Sequence, residues 1–268
     1  MIDSGRQKVT DKRFDSSISE DRFINKLFER VVAKEIIFKN INFSYCIFDA
    51  AYLRSCTFES CIFTGCRFVN SNLTGSSFNA CTFDYATFEK TYIDNDVLTL
   101  SCPTRENLKL KFARSLRVNY QQLGDAQSAN QAINVELRAT EEHLYKSWIS
   151  REPYYRKKYK GLDHFKVFLE WLSFKALDYI WGNGESALKL FRAVVVVMAI
   201  IALIHVFSYG KPTLVRSYYE AFLLAPQILL GIIEPKQYPS MYLTAINLVR
   251  LVMFGFFMSI IIKRFNRR

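Results

Sequence analysis

The sequence predicts a multidomain α+β protein: a solenoid of five-residue units, a helical linker, and a two-helix membrane hairpin. Three observations predict it. An apolar residue recurs at every fifth position through most of the first third. Helical periodicity and basic charge take over in the middle. Leu, Ile, Val and Phe crowd the last third into two stretches, each long enough to cross a bilayer. The chain has 268 residues, half of them hydrophobic, with 23% charged. This balance excludes collagen-like and wholly disordered chains. The net charge of +11 admits nucleic acid, anionic lipid or cytoplasmic flanks of membrane spans as explanations.

Residues 1–35 are expected to be an N-terminal tail and a capping helix. The first stretch has no apolar core of the kind a cleaved signal needs, and residues 1–19 read as mobile. Residues 20–34 place Phe23, Leu27 and Val31 on one helical face. Such a helix could protect the first coil of a solenoid from edge pairing.

The repeat occupies residues 36–100. The apolar series runs Phe38, Phe43, Phe48, Leu53, Phe58, Phe63, Phe68, Leu73, Phe78, Phe83, Phe88, Ile93, Leu98. Two residues before each lies a second, mostly small series, including Cys46, Ala51, Cys56, Cys61, Cys66, Ser71, Ser76, Cys81 and Ala86. Period five matches neither a helix nor a simple strand. It suits a chain that turns a corner every five residues and stacks its coils, burying both series.

These residues resemble the pentapeptide-repeat family. The resemblance implies a right-handed quadrilateral β-helix with four units per coil, hence a little over three coils here. It also implies that Cys46 stacks under Cys66 and Cys61 under Cys81. Five of the six cysteines read as small buried residues. No histidine lies among them, so no metal site is expected. Some proteins of this family resemble duplex DNA and bind topoisomerases. Here the repeat carries four cations against six anions, a net of −2, too weak for a phosphate mimic. The outward rows of Asn, Ser, Thr and Glu offer a surface for a cytoplasmic protein partner.

Residues 101–160 read as a helical hairpin linker. Cys102-Pro103 breaks the repeat, and Leu108, Phe112, Leu116 and Tyr120 give a helix at spacing four. Gly124-Asp125 marks a stop and a restart, and a second helix runs to about Ser150. The linker ends in a basic aromatic stretch. Arg151, Arg156, Lys157, Lys158 and Lys160 alternate with Tyr154, Tyr155 and Tyr159. Nucleic acid would accept this composition. Its place before a membrane segment favours membrane lipid, so a nucleic-acid partner is not expected. Residues 161–187 hold an interfacial amphipathic helix and a Gly-Asn-Gly turn.

Residues 188–268 form the membrane domain. The spans are about Leu190–Tyr209 and Tyr242–Ile262. Basic residues flank their outer ends, which puts both termini in the cytoplasm of a cell whose inner (plasma) membrane holds the protein. The connecting residues 217–233 are too apolar for an external loop and too short to span.

Two spans with such a segment between them resemble the two-transmembrane potassium-channel-like pore domain. The resemblance implies a homotetramer, a re-entrant pore loop and a pore helix opening at SYYEAF. Leu229 and Leu230 take the filter Thr-Val places, Gly231 the first Gly, Ile232 the Tyr, Ile233 the second Gly and Glu234 the Asp. Gly255 lies near the usual hinge glycine of the inner helix. The filter threonine and second glycine are absent, and β-branched Ile232 and Ile233 resist carbonyl-lined geometry. Potassium selectivity is therefore not expected. A weakly selective pore, a hydrophobic gate and a non-conducting relic all stay open. Arg250 is a charge inside a span; it could pair with Glu220 or Glu234, or line the pore beside Asn247.

The function expected is an oligomeric membrane ion channel, weakly selective or non-selective, with a cytoplasmic solenoid as sensor or assembly unit. The alternative is a membrane-anchored scaffold whose solenoid binds a protein and whose hairpin only tethers it. No nucleophile–base pair, phosphate loop or metal-spaced cluster occurs, so neither an enzyme nor a cofactor is expected.

Overall fold

The computed structural model describes residues 5–266. They form two compact units that divide between Phe168 and Leu169.

The first unit opens with the solenoid, whose parallel strands line up in faces. One face pairs Gln7–Thr10, Lys26–Glu29, Ile47–Asp49, Arg67–Val69 and Thr87–Glu89 in that order. A second pairs Ile18–Ser19, Ile37–Lys39, Thr57–Glu59 and Ser77–Asn79, and a third Arg13–Phe14, Val32–Lys34 and Tyr52–Arg54. The fourth is held by single bridges through Arg22, Asn42, Ile62 and Thr82. Five strands on the longest face mean that about four full turns separate its ends.

The register explains the core. Phe28, Phe48, Phe68 and Phe88 stack with ring centroids 4.9–5.1 Å apart, close to the spacing between paired strands. Phe38, Phe58 and Phe78 form a second stack, and Phe43, Phe63 and Phe83 a third. Every fifth residue turns the corner with positive φ, as at Asn40, Ser60, Ala80 and Lys90. A non-glycine residue there costs on the order of 1 kcal/mol. Corner N–H groups ahead of the last coil donate to the next coil, as Asn40 does to Glu59 at 2.9 Å and Ser60 to Asn79 at 2.8 Å. Glycine is required at Gly65 (φ +68°), where a Cβ would stand 2.7 Å from the Tyr45 ring.

The solenoid starts earlier than the sequence pattern suggests, which corrects the N-terminal expectations. Residues 20–34 are β coils, not a capping helix, and 7–19 already carry strands. Residues 1–4 lie outside the described residues. Two departures hide these coils. Ala33 fills a place where Phe or Leu stands elsewhere, in register with Leu53. Phe14 pairs with Ala33 and Ile18 with Phe38, so one unit has only four residues. At the other end Leu98 is buried but belongs to a short helix, α1 (Val97–Leu100).

The cap is at the C-terminal end. Helix α2 (Glu106–Gln122) lies across the last coil, with Phe112 against Phe83 and Phe88. Gly124 has φ +74°, and Asp125 then caps α3 (Ala126–Ile149) by accepting from the Ser128 N–H at 3.0 Å. Glu136 on α3 accepts from Arg114 and Arg117 of α2. A short helix, α4 (Pro153–Lys158), follows.

Helix α5 (Leu162–Trp181) carries the chain into the second unit. There α6 (Ala187–Tyr209), α7 (Val215–Leu229) and α8 (Ser240–Asn266) pack together. α6 and most of α8 are long and apolar enough to cross a membrane. Arg267 and Arg268 of the expected basic flank lie outside the described residues.

Candidate functional site

In the second unit α7 packs by Ala225, Ile228 and Leu229 against Ile201, Val197 and Val194 of α6 and Ile246 of α8. Ala221 and Ala225 are fully buried, so small residues let α7 approach closely. Its C-terminal turn closes by Leu230 N–H to Pro226, Gly231 N–H to Ile228 and Ile232 N–H to Gln227, at 2.8–3.0 Å. Gly231 makes that turn at φ +75°.

The filter-like residues do not share one environment. Leu229 is buried, Ile233 is moderately exposed, and Leu230 and Ile232 are exposed by 66% and 70%. Glu234 is exposed. Gly255 is exposed, with open space where a Cβ would stand. Asn247 and Arg250 are half-buried on α8.

One close approach joins two of these residues. The Arg250 guanidinium lies against Gly231, where any Cβ would overlap it. Leu229, Leu230 and Arg250 also line one cavity of about 620 Å³, whose other walls include Leu190, Phe191, Val194 and Phe254. The expected pairing of Arg250 with Glu220 or Glu234 does not occur. Glu220 binds Arg216 at 2.7 Å, one turn away on the same helix, and Glu234 takes no part in an ion pair among the described residues.

Several contacts carried no sequence signal strong enough to find them. The Trp181 ring stacks on Phe256 at 4.2 Å, beside Gly255. Lys189 binds Asp178 at 2.7 Å, and Lys263 binds Glu185 at 3.5 Å. These tie the end of α5 and the Gly182–Gly184 turn to the ends of α6 and α8. The turn itself, with Gly on both sides of Asn183, was the available hint. At the opposite end of α6, His205 Nδ1 lies 2.7 Å from the Tyr238 hydroxyl.

In the first unit, Arg151, Arg156, Lys157, Lys158 and Lys160 are all exposed. Tyr155 departs from the expected surface role. It is buried beside His143, with its hydroxyl 3.5 Å from Glu106, because α4 folds back onto the α2–α3 hairpin.

The solenoid core explains its cysteines. Cys61 donates to the Phe38 carbonyl and Cys66 to that of Phe43, each 23 residues back. Ser71 and Ser76 do the same to Phe48 and Leu53. A family model for pentapeptide repeats matches residues 36–75 and 61–95, in eight copies. Residues 36–95 are a pentapeptide-repeat domain. Similar solved structures include a pentapeptide-repeat protein (Rfr23) from the cyanobacterium Cyanothece 51142. It is 12% identical with a TM-score of 0.31, over 33% of this chain and 75% of that one. Another is QnrB1, a plasmid-mediated fluoroquinolone resistance protein, 23% identical with a TM-score of 0.27. That match covers 28% of this chain and 38% of QnrB1. No curated protein matches the chain.

Proposed function

We propose that this chain is the subunit of an oligomeric membrane ion channel, a tetramer by its resemblance, with weak selectivity or none. One observation carries the reading. A helix too short to span, α7, buries its C-terminal Ile228 and Leu229 in one apolar cluster with Val194, Val197 and Ile201 of α6. Backbone that turns at such a depth survives only where protein or water surrounds it. A water-lined path along the axis of several copies satisfies that requirement for Gly231–Glu234. The pentapeptide-repeat domain would be the cytoplasmic sensor or assembly unit. Its signal would reach the inner helix through α5, whose Trp181 stacks beside Gly255. The exposed Arg and Lys residues at 151–160 would hold anionic lipid.

The test is electrical. The purified full chain, reconstituted in a planar bilayer under asymmetric KCl, should give discrete unitary currents, and Gly231→Trp should abolish them. Steady partner binding by a chain that never conducts, with or without Gly231→Trp, would support the membrane-anchored scaffold instead. The exposed aromatic corners Tyr45 and Tyr85 and neighbouring Tyr92 are the surface such a partner would meet.

A further inference from the structure

Arg250 sits about 15 Å along α8 from Ser240, at a rise of 1.5 Å per residue, near the middle of that helix. Charge at such depth is expensive and needs compensation. Among the described residues no carboxylate provides it, since Glu220 is taken by Arg216. The feature of opposite sign that lies beside Arg250 is the C-terminal end of α7. The guanidinium lies against Gly231, just past the last turn. There the carbonyls of Leu229, Leu230 and Gly231 receive no backbone donor among the described residues. A helix C-terminus carries about half a negative charge and favours a cation.

We infer that Arg250 is a fixed, tethered cation at the inner end of α7 and makes the proposed conduction path favour anions. This rests on the pore reading and adds the class of permeant ion. The competing group is Glu234, and magnitude decides between them. Glu234 is exposed two residues from Lys236, so water and a neighbouring cation weaken its field. Arg250 is half-buried and shares its cavity with Leu190, Phe191, Val194 and Phe254. Charges act about four times more strongly at an effective dielectric of about 20 than in water. In an oligomer each copy would place one such cation beside Gly231.

The experiment uses the full chain in planar bilayers under asymmetric KCl and reads the chloride-to-potassium permeability ratio. The wild type should give a ratio above one. Arg250→Lys, which keeps the charge, should preserve it, and Glu234→Gln should not lower it. Arg250→Gln should lower it several-fold, to one or below. A wild-type ratio below one, or an unchanged ratio in Arg250→Gln, would overturn the inference while leaving the pore intact. If the wild type is silent, Gly255→Ser supplies a neutral polar group to wet the inner helix, and the same ratios are read there. Silence in every variant would overturn the pore reading and this inference with it.

Discussion

Cys66 illustrates what one position of the solenoid core must do. It has no room for a larger side chain and donates its S–H to the Phe43 carbonyl of the previous coil. Serine replaces cysteine in the same series for the same reason, as Ser71 and Ser76 show. Burial pushes the Cys66 thiol well above the ordinary range and the Cys46 thiol up to about 11. Thiolate is therefore scarce at neutral pH. Cys66→Ser should melt close to the wild type. Cys66→Ala should lose about 1 kcal/mol with the hydrogen bond. Cys66→Leu should lose about 1–3 kcal/mol by overpacking. Thermal unfolding of the three variants checks the order. Under native conditions Cys66 should resist maleimide at pH 7 and react only after unfolding.

At the scale of an element, α2 is the cap that a stack of parallel coils requires. Ser115, Asn119 and Gln122 lie one or two turns apart and accept from the backbone N–H groups of Phe88, Thr91 and Lys90, in that order, on the last coil. Asn119 also donates to the Thr91 carbonyl at 2.7 Å, closing both bonds of one residue away from water. Asn119→Leu would leave a buried donor and acceptor unpaired, at a cost of about 2 kcal/mol or more. Asn119→Asp keeps the acceptor alone and should lie between that variant and the wild type. Amide exchange at Thr91 should rise in the same order, ahead of exchange in the stacks around Phe48. A uniform rise along the solenoid would mean that α2 does not act as a local cap.

At the scale of the whole molecule, two helices are long and apolar enough to cross a membrane. With most of the α6 and α8 surfaces outside the core of a single chain, the hydrophobic effect favours a bilayer around them. The full chain should sediment with membranes, resist extraction by alkaline carbonate and dissolve in mild detergent. Release by carbonate would show that α6 and α8 are covered by protein instead.

The sequence by itself determined the solenoid from Phe38 onward, because a strict period forces every fifth side chain into one column. It determined the two long apolar helices as well, because length and hydropathy are local properties. Composition alone marked the small series, but only the stacked coils showed that Cys and Ser there are donors. The first coils were illegible because Ala33 is small and the Phe14–Ile18 step is four residues; parallel pairing with the next coil restores their register. The polar row of α2 was invisible because its partners, Phe88 to Thr91, are about 28 residues away. Arg250 was legible as an anomaly, yet its place against Gly231 was not. Charge complementarity pointed to Glu220 or Glu234, whereas the turn after α7 brings a glycine and a helix end to it. Local periodicity fixes which residues are buried; only the packed chain decides which buried polar groups meet.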